Sequence, residues 1–148
     1  MTDTADDIAR KCAEALWQDD NATRALGMTL LGVRAGHAVL SMPVRDDMTN
    51  GHGTCHGGFI FTLADSAFAF ACNTYDERTV AQHCSITFIA PAMRGDVLTA
   101  EGREVSRTGR SGIYDITVTN AEGKRVAEFR GHSRTIGGAI ISPDKSHA

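Results

Sequence analysis

Apolar residues recur along this chain in two rhythms, one helical and one strand-like. Ile8, Cys12, Ala15 and Leu16 share one side of a helix capped by Asp3 or Thr4 and running to about Asp19, where Trp17 anchors its end. Two apolar runs follow, Met28–Val33 and Ala38–Val44, split by Arg34-Ala35-Gly36-His37, and they predict a hairpin. Arg45–Cys55 reads as loop, acidic and then punctuated by glycine, with Asn50-Gly51 as a turn. From about His56 to Tyr75 a helix is expected with apolar residues nearly all round it. Four strand-like segments complete the pattern: Val80–Ala90, Asp96–Ser106, Gly112–Asn120 and Arg125–Ile136. Pro91–Gly95 and two glycine-bearing turns separate them.

A long helix that is apolar on every side must be wrapped, and an antiparallel sheet curling around it meets that need. The fold class is therefore α+β, in the layout of the hotdog fold, with an additional N-terminal helix. With 148 residues the chain has enough length for one sizeable core. Residues 1–137 are expected to form a single domain and 138–148 a disordered C-terminal tail.

Charge narrows the function classes. The net charge of −3 disfavours non-specific nucleic-acid binding. Six acids and two bases fall in residues 1–20, which leaves 12 acids and 13 bases elsewhere, a neutral body compatible with an anionic small molecule. The opening Met-Thr-Asp-Thr-Ala-Asp-Asp lacks the order of a secretory signal, and Asp65 interrupts the only run approaching a membrane span. Cys12, Cys55, Cys72 and Cys84 show no disulfide or zinc spacing. A cytoplasmic location with reduced thiols is expected, with no nucleic-acid or membrane partner.

Within the apolar helix one residue is out of place. Asp65 has no cation within a turn on either side, and burying an unpaired carboxylate is costly. Desolvation raises its pKa, which suits a general base. Gly57-Gly58 at the start of the same helix offers backbone N–H groups at the positive end of the helix dipole. Gly57 and Asp65 are eight residues apart, about 12 Å along a helix at ~1.5 Å per residue. An oxyanion donor and a base must each lie about 3 Å from the reacting group, so one helix does not place both around one carbonyl. Two helices antiparallel across a two-fold axis do, with Gly57 of one chain facing Asp65 of the other. The expected site is shared between subunits, and a monomer is expected to be inactive.

The neighbouring loop adds supporting candidates. His56 is placed to fix the glycine turn and to contact the leaving group or water, and Asn50 to orient that water or the carbonyl. His52, Cys55 and His56 are too few for a zinc centre, and no metal or redox cofactor is expected. Arg107-Thr-Gly-Arg110-Ser111-Gly112 is the leading anion-binding segment, with Lys124 and Arg134 as further cations, because arginine and free amides suit phosphate. Phe59, Phe61, Phe68 and Phe70 are shared between core and a candidate aromatic pocket.

The segments Asn50-Gly51-His52-Gly53 and Thr54 through Ala69, with His56-Gly57-Gly58-Phe59 and Leu63-Ala64-Asp65, resemble the hotdog-fold acyl-CoA thioesterases. With Ser106 through Asp115, they are similar to the phenylacetic acid degradation (PaaI) type, over about Ala25 to Gly137. The resemblance implies a homotetramer built from dimers, hydrolysing phenylacetyl-CoA and ring-hydroxylated relatives. It implies Asp65 as base or nucleophile, Gly57 as the oxyanion amide, and Asn50 and His56 as supporting groups. Gly58, Arg107, Arg110, Ser111 and Arg134 are the expected substrate and coenzyme A contacts. Some relatives carry a serine on the strand after the long helix, where this chain reads Ala81-Gln82-His83-Cys84-Ser85. Two alternatives use the same fold: an enoyl-CoA hydratase or dehydratase, and a non-catalytic acyl-CoA sensor.

Overall fold

A computed structural model describes residues 2–143. Helix α1 (Ala5–Asp19) begins at Thr4, whose hydroxyl accepts the Asp7 N–H while the Asp7 carboxylate accepts the Thr4 N–H. This reciprocal cap satisfies two otherwise orphaned donors. A second helix, α2 (Asn21–Ala25), follows directly, capped by the Asp20 side chain on the Thr23 N–H. The sequence pattern did not reveal it, because five residues are too few to show a period.

Strands β1 (Thr29–Arg34) and β2 (His37–Pro43) form the expected hairpin. A 3-10 turn at Asp46–Met48 leads to the central helix α3 (Gly57–Cys72), and β3 (Thr79–Phe88), β4 (Val97–Thr108), β5 (Ser111–Thr119) and β6 (Arg125–Thr135) follow. All six strands make one antiparallel sheet in the order β1-β2-β4-β5-β6-β3. This is the α+β hotdog arrangement.

Alternation of the strands aims one face at α3. Ala38, Leu40 and Met42 of β2 and Tyr114, Ile116 and Val118 of β5 are buried against it, with half-exposed residues between them. The tightest approach is on β6, where a Cβ at Gly131 would come within 2.7 Å of the Phe68 ring. That ring is buried and packs on Tyr114 and Phe129, with centroids 5.7 and 5.9 Å away. Phe70 is also core, against Trp17 at 6.3 Å.

The chain does not wrap α3 completely. Gly58, Thr62, Asp65 and Ala69, spaced four, three and four residues apart, form one line of incompletely buried positions. The edge strand β3 runs beside this line, from Phe88 next to Gly57 to Thr79, which exchanges hydrogen bonds with the Asn73 side chain. Val80 and Phe88 on that edge are 44% and 51% exposed.

Helix α3 ends at Cys72, three residues before the position expected from its apolar run. Asn73 binds the Ala69 carbonyl through both its backbone and its side chain, and the same side chain engages Thr79 and draws the chain towards β3. Beyond β6, the backbone N–H groups of Ile140 and Ile141 donate to Asp76 Oδ1 at 2.9 and 2.7 Å, and the Ser142 hydroxyl donates to Oδ2. Asp76 takes a left-handed backbone, φ 58°, to receive them. Of the expected C-terminal tail, residues 144–148 lie outside the described residues.

Candidate active site

The start of α3 is built by its preceding loop. The His56 N–H donates to the Met48 carbonyl at 2.7 Å, and the Cys55 N–H to Ala92 at 2.7 Å, which fixes the entry of the chain into the helix. The Gly58 N–H donates to His56 Nδ1 at 3.0 Å. That contact requires an unprotonated Nδ1, so the neutral ring carries its hydrogen on Nε2, on an exposed side chain. The two glycines are thereby separated in role: the Gly58 amide is engaged by the cap, whereas the Gly57 amide has no acceptor among the described residues.

Asn50 organises the loop itself. Its Oδ1 accepts from the His52 N–H at 2.9 Å, the Thr54 N–H at 3.3 Å and the Thr54 hydroxyl at 3.0 Å. Its side-chain NH2 donates to no acceptor among the described residues and lies on the exposed surface. A groove of about 530 Å³ opens beside Gly57, lined by Thr54, Ile60, Phe88 and Pro91. Phe88 lies over the glycine: a Cβ there would sit 2.9 Å from the ring.

Asp65 lies two turns further along the uncovered line. It is half-buried and, among the described residues, accepts no hydrogen bond and meets no cation. Burial pushes its carboxyl above the usual aspartate range, and the negative charge of Asp20 pushes it further. Asp20 is positioned by a relay of hydroxyls. Thr23 Oγ1 donates to Asp20 Oδ2 at 2.7 Å and lies 2.8 Å from Ser66 Oγ. Since a carboxylate only accepts, Thr23 spends its proton on Asp20 and receives that of Ser66.

The cysteines do not compete for the nucleophile's role. Burial raises the Cys55 thiol, and its neighbour His56 turns Nδ1 to Gly58 instead. The Cys72 thiol is pushed up to about 12 by burial. Among the described residues no three His, Cys, Asp or Glu side chains converge as metal ligands would.

The candidate anion contacts gather at the opposite end of α3. Arg107, Arg110 and Ser111 surround the β4–β5 turn and abut Cys72 and Thr79. Arg107 Cζ lies over the Tyr75 ring, 3.7 Å from its centroid, and Nη2 is 3.7 Å from Glu77 Oε1. Arg110 Nη2 donates to the Thr135 carbonyl at 3.2 Å, and Arg134 pairs with Ser111 across β5 and β6. Fifteen residues of helix separate Gly57 from Cys72, about 22 Å at ~1.5 Å per residue. Within one chain the fold brings these cations together but not to Gly57, His56 or Asn50.

Sequence comparison fixes the family. The model of the thioesterase superfamily matches residues 52–127, which include the loop, α3 and most of the sheet. The acyl-coenzyme A thioesterase PaaI of Escherichia coli is 44% identical over 128 residues, covering 86% of this chain and 91% of that one.

The chain belongs to the thioesterase superfamily.

Other members agree in sequence and shape. The human acyl-coenzyme A thioesterase 13 is 32% identical over 133 residues, 86% of this chain and 94% of that one. The structure of the E. coli PaaI protein from the phenylacetic acid degradation operon superposes with a TM-score of 0.91 at 41% identity, covering 93% of this chain and all of that one. A protein from Streptococcus pneumoniae described as a hypothetical thioesterase, solved with coenzyme A, superposes with a TM-score of 0.71 at 27% identity, covering 74% of this chain and 89% of that one. Two residues next to the candidate site were not apparent from sequence. Asp20 draws no reading of its own, and only the fold ties it, through Thr23, to Ser66 next to Asp65. Phe88 reads as a strand residue, and only the fold lays it over Gly57.

Proposed function

We propose that this enzyme hydrolyses acyl-CoA thioesters to the free acid and coenzyme A, with phenylacetyl-CoA or a ring-hydroxylated relative as its substrate. The observation that carries the reading is Asp65: a half-buried carboxylate without a partner, raised in pKa, on the one line of α3 that its own chain leaves uncovered. A residue so placed gains nothing for the isolated fold and faces whatever completes the helix.

A second copy, related by a two-fold axis with its α3 antiparallel, completes it. Gly57 of the partner then lies opposite Asp65, and its unengaged amide donates to the thioester oxygen as charge develops there. Asp65 either removes a proton from water attacking the carbonyl, which gives the acid at once, or attacks the carbonyl directly to form a mixed anhydride that water then cleaves to the acid and free Asp65. In both cases the thiolate of coenzyme A leaves and is protonated. His56 and Asn50 belong to the loop that leads into Gly57, and their Nε2–H and amide NH2, left free by the bonds to Gly58 and His52, orient the attacking water or the leaving sulfur. The antiparallel pairing also brings one chain's arginine turn towards the other chain's Gly57 end, which closes the ~22 Å gap found within a single chain. Arg107, Arg110, Ser111 and Arg134 then supply the phosphate contacts. The aryl-acetyl preference is supported by the likeness to the E. coli enzyme.

The deciding experiment measures thiol release from a panel of acyl-CoAs by the wild type and by Asp65→Asn. The wild type is expected to turn over phenylacetyl-CoA fastest, and the variant to stay folded and bind while losing most turnover. Equal release by both proteins overturns the role of Asp65. Hydration of an enoyl-CoA with the thioester left intact overturns the reaction.

A further inference from the structure

A second cavity, of about 570 Å³, lies at the far end of the uncovered line of α3. It sits between the last turn of α1, the start of β3 and the segment that follows β6. Leu16, Val80, Ile136 and Ile140 supply apolar walls, and Asn73 closes the side towards α3. Its volume falls in the range of small-molecule pockets, about 300–1,000 Å³. Asp20 belongs to both places: it lines this cavity, and Thr23 bridges it to Ser66, the residue after Asp65, with contacts of 2.7 and 2.8 Å. The cavity wall is thereby tied, through two hydrogen bonds, to the turn of α3 that carries the carboxylate proposed to act on the thioester.

Its charge argues for a neutral occupant. Asp19 and Asp20 line it with Arg78 as the single lining cation, a setting that repels a pyrophosphate, whereas Arg107 and Arg110 lie outside it, around the β4–β5 turn. One wall is not part of the sheet. Residues 136–142 form a strap that is fastened at two levels. The Ile136 N–H donates to the Arg78 carbonyl at 2.9 Å and the Arg78 N–H to the Gly138 carbonyl at 3.0 Å. Further along, Asp76 grips Ile140, Ile141 and Ser142 by their backbone N–H groups. These bonds are made to main chain, so they fix where the strap lies independently of its side chains, and Ile136 and Ile140 are carried against the cavity.

We infer that this cavity receives the acyl group and that the strap, fastened by Asp76, is the wall that sets which acyl groups fit. The inference rests on the thioesterase reading above and adds to it a specificity determinant outside the catalytic loop and helix. Asp76 here is a positioning residue, acting through the strap.

The test compares kcat/KM for phenylacetyl-CoA, hexanoyl-CoA and acetyl-CoA in the wild type, Ile140→Ala, Ile140→Trp and Asp76→Gly. Glycine suits the left-handed backbone at position 76 and removes only the grip. Ile140→Trp is expected to lower the phenylacetyl-to-acetyl ratio at least tenfold by filling the cavity. Ile140→Ala and Asp76→Gly are expected to flatten the ratios, with longer acyl groups gaining relative to phenylacetyl. Inhibition by free coenzyme A, measured in parallel, is expected to stay unchanged in all variants. Unchanged ratios in active variants overturn the inference while leaving the thioesterase reading intact. Weakened inhibition by coenzyme A with every substrate affected alike also overturns it, because the cavity then holds the carrier and not the acyl group. A wild type that releases no thiol from any of the three refutes the underlying reading. Circular dichroism of each variant separates loss of fold from loss of selectivity.

Discussion

Thr23 and Ser66 meet inside the protein with their hydroxyls 2.8 Å apart, and this contact joins the short helix α2 to the central helix one residue from Asp65. Through Thr23 the contact holds Asp20, whose charge raises the Asp65 carboxyl. Replacing Asp20 by Asn keeps a competent helix cap and removes the charge. The pKa of Asp65 then falls, so the fraction ionised at a given acidic pH rises. The acid limb of the pH profile of kcat/KM is expected to move to lower pH. A limb that stays in place, measured on phenylacetyl-CoA, assigns it to another group.

Asp65 itself couples activity against stability. The folded chain keeps the Asp65 proton to a higher pH than the unfolded chain, whose aspartates titrate near about 3.9. Stability therefore falls as pH rises from that value through the raised folded pKa. Asp65→Asn removes this loss while removing the base, which for general acid–base catalysis is worth ~100- to 10,000-fold in rate. The variant is expected to be nearly inactive yet to melt no lower than the wild type at neutral pH. Their thermal transitions at pH 7 and pH 4 test this, and the difference between the proteins is expected to shrink at the lower pH.

Gly57 is tested by its neighbour. A methyl group at this position meets the Phe88 ring at 2.9 Å, and that ring is half-exposed in the single chain, at the far end of a flexible side chain. Gly57→Ala is expected to fold normally and to lose about 100-fold in kcat, the scale of one oxyanion donor. If Gly57→Ala/Phe88→Leu restores full kcat, crowding by the ring and not approach to the amide is the cause.

Sharing of the site has a numerical signature. Asp65→Asn and Gly57→Ala chains, each nearly inactive alone, form mixed dimers in which one of the two sites is intact. Random pairing of equal amounts is expected to recover about a quarter of wild-type activity. No recovery after dissociation and re-mixing, with mixed dimers verified by mass, places both residues in one chain's site.

Gly131 is held to glycine by packing. A Cβ there would meet three atoms of the Phe68 ring at 2.7–2.8 Å, and that ring is enclosed by Tyr114 and Phe129. Gly131→Ala is expected to cost about 1–3 kcal/mol in denaturant unfolding, as overpacked cores do. Phe68→Leu in the same chain is expected to return part of that loss.

The elements with long periods were legible before the structure. Helix α1, the β1–β2 hairpin, α3 and the four later strands lie within a few residues of where hydrophobic spacing put them. What failed was local or long-range. Helix α2 lacks the length to show a period, and α3 stops early because Asn73 finds partners in β3, a choice made by tertiary contact. At the site, Asp65 and Gly57 stood out because both break the character of their helix. The distance between Gly57 and the arginine turn did not, since spacing along a strand says nothing of which end of α3 its hairpin will reach. Asp20 and Phe88 were silent for the same reason.

The two margins of the sheet differ. Along β1 the register with β2 breaks between Leu30 and Gly32, and α1 lies against the strand, with Arg10, Ala13 and Glu14 beside Leu30–Val33. A short border with a helix laid against it is a poor template for another chain, whereas the border at β3, which has its own register break between Ala81 and His83, is the longer, barer one. Association by edge pairing thus has one sticky side and one blunt side. If copies of this chain pair through that border, as the proposed shared site requires, the pair closes instead of growing into a ribbon.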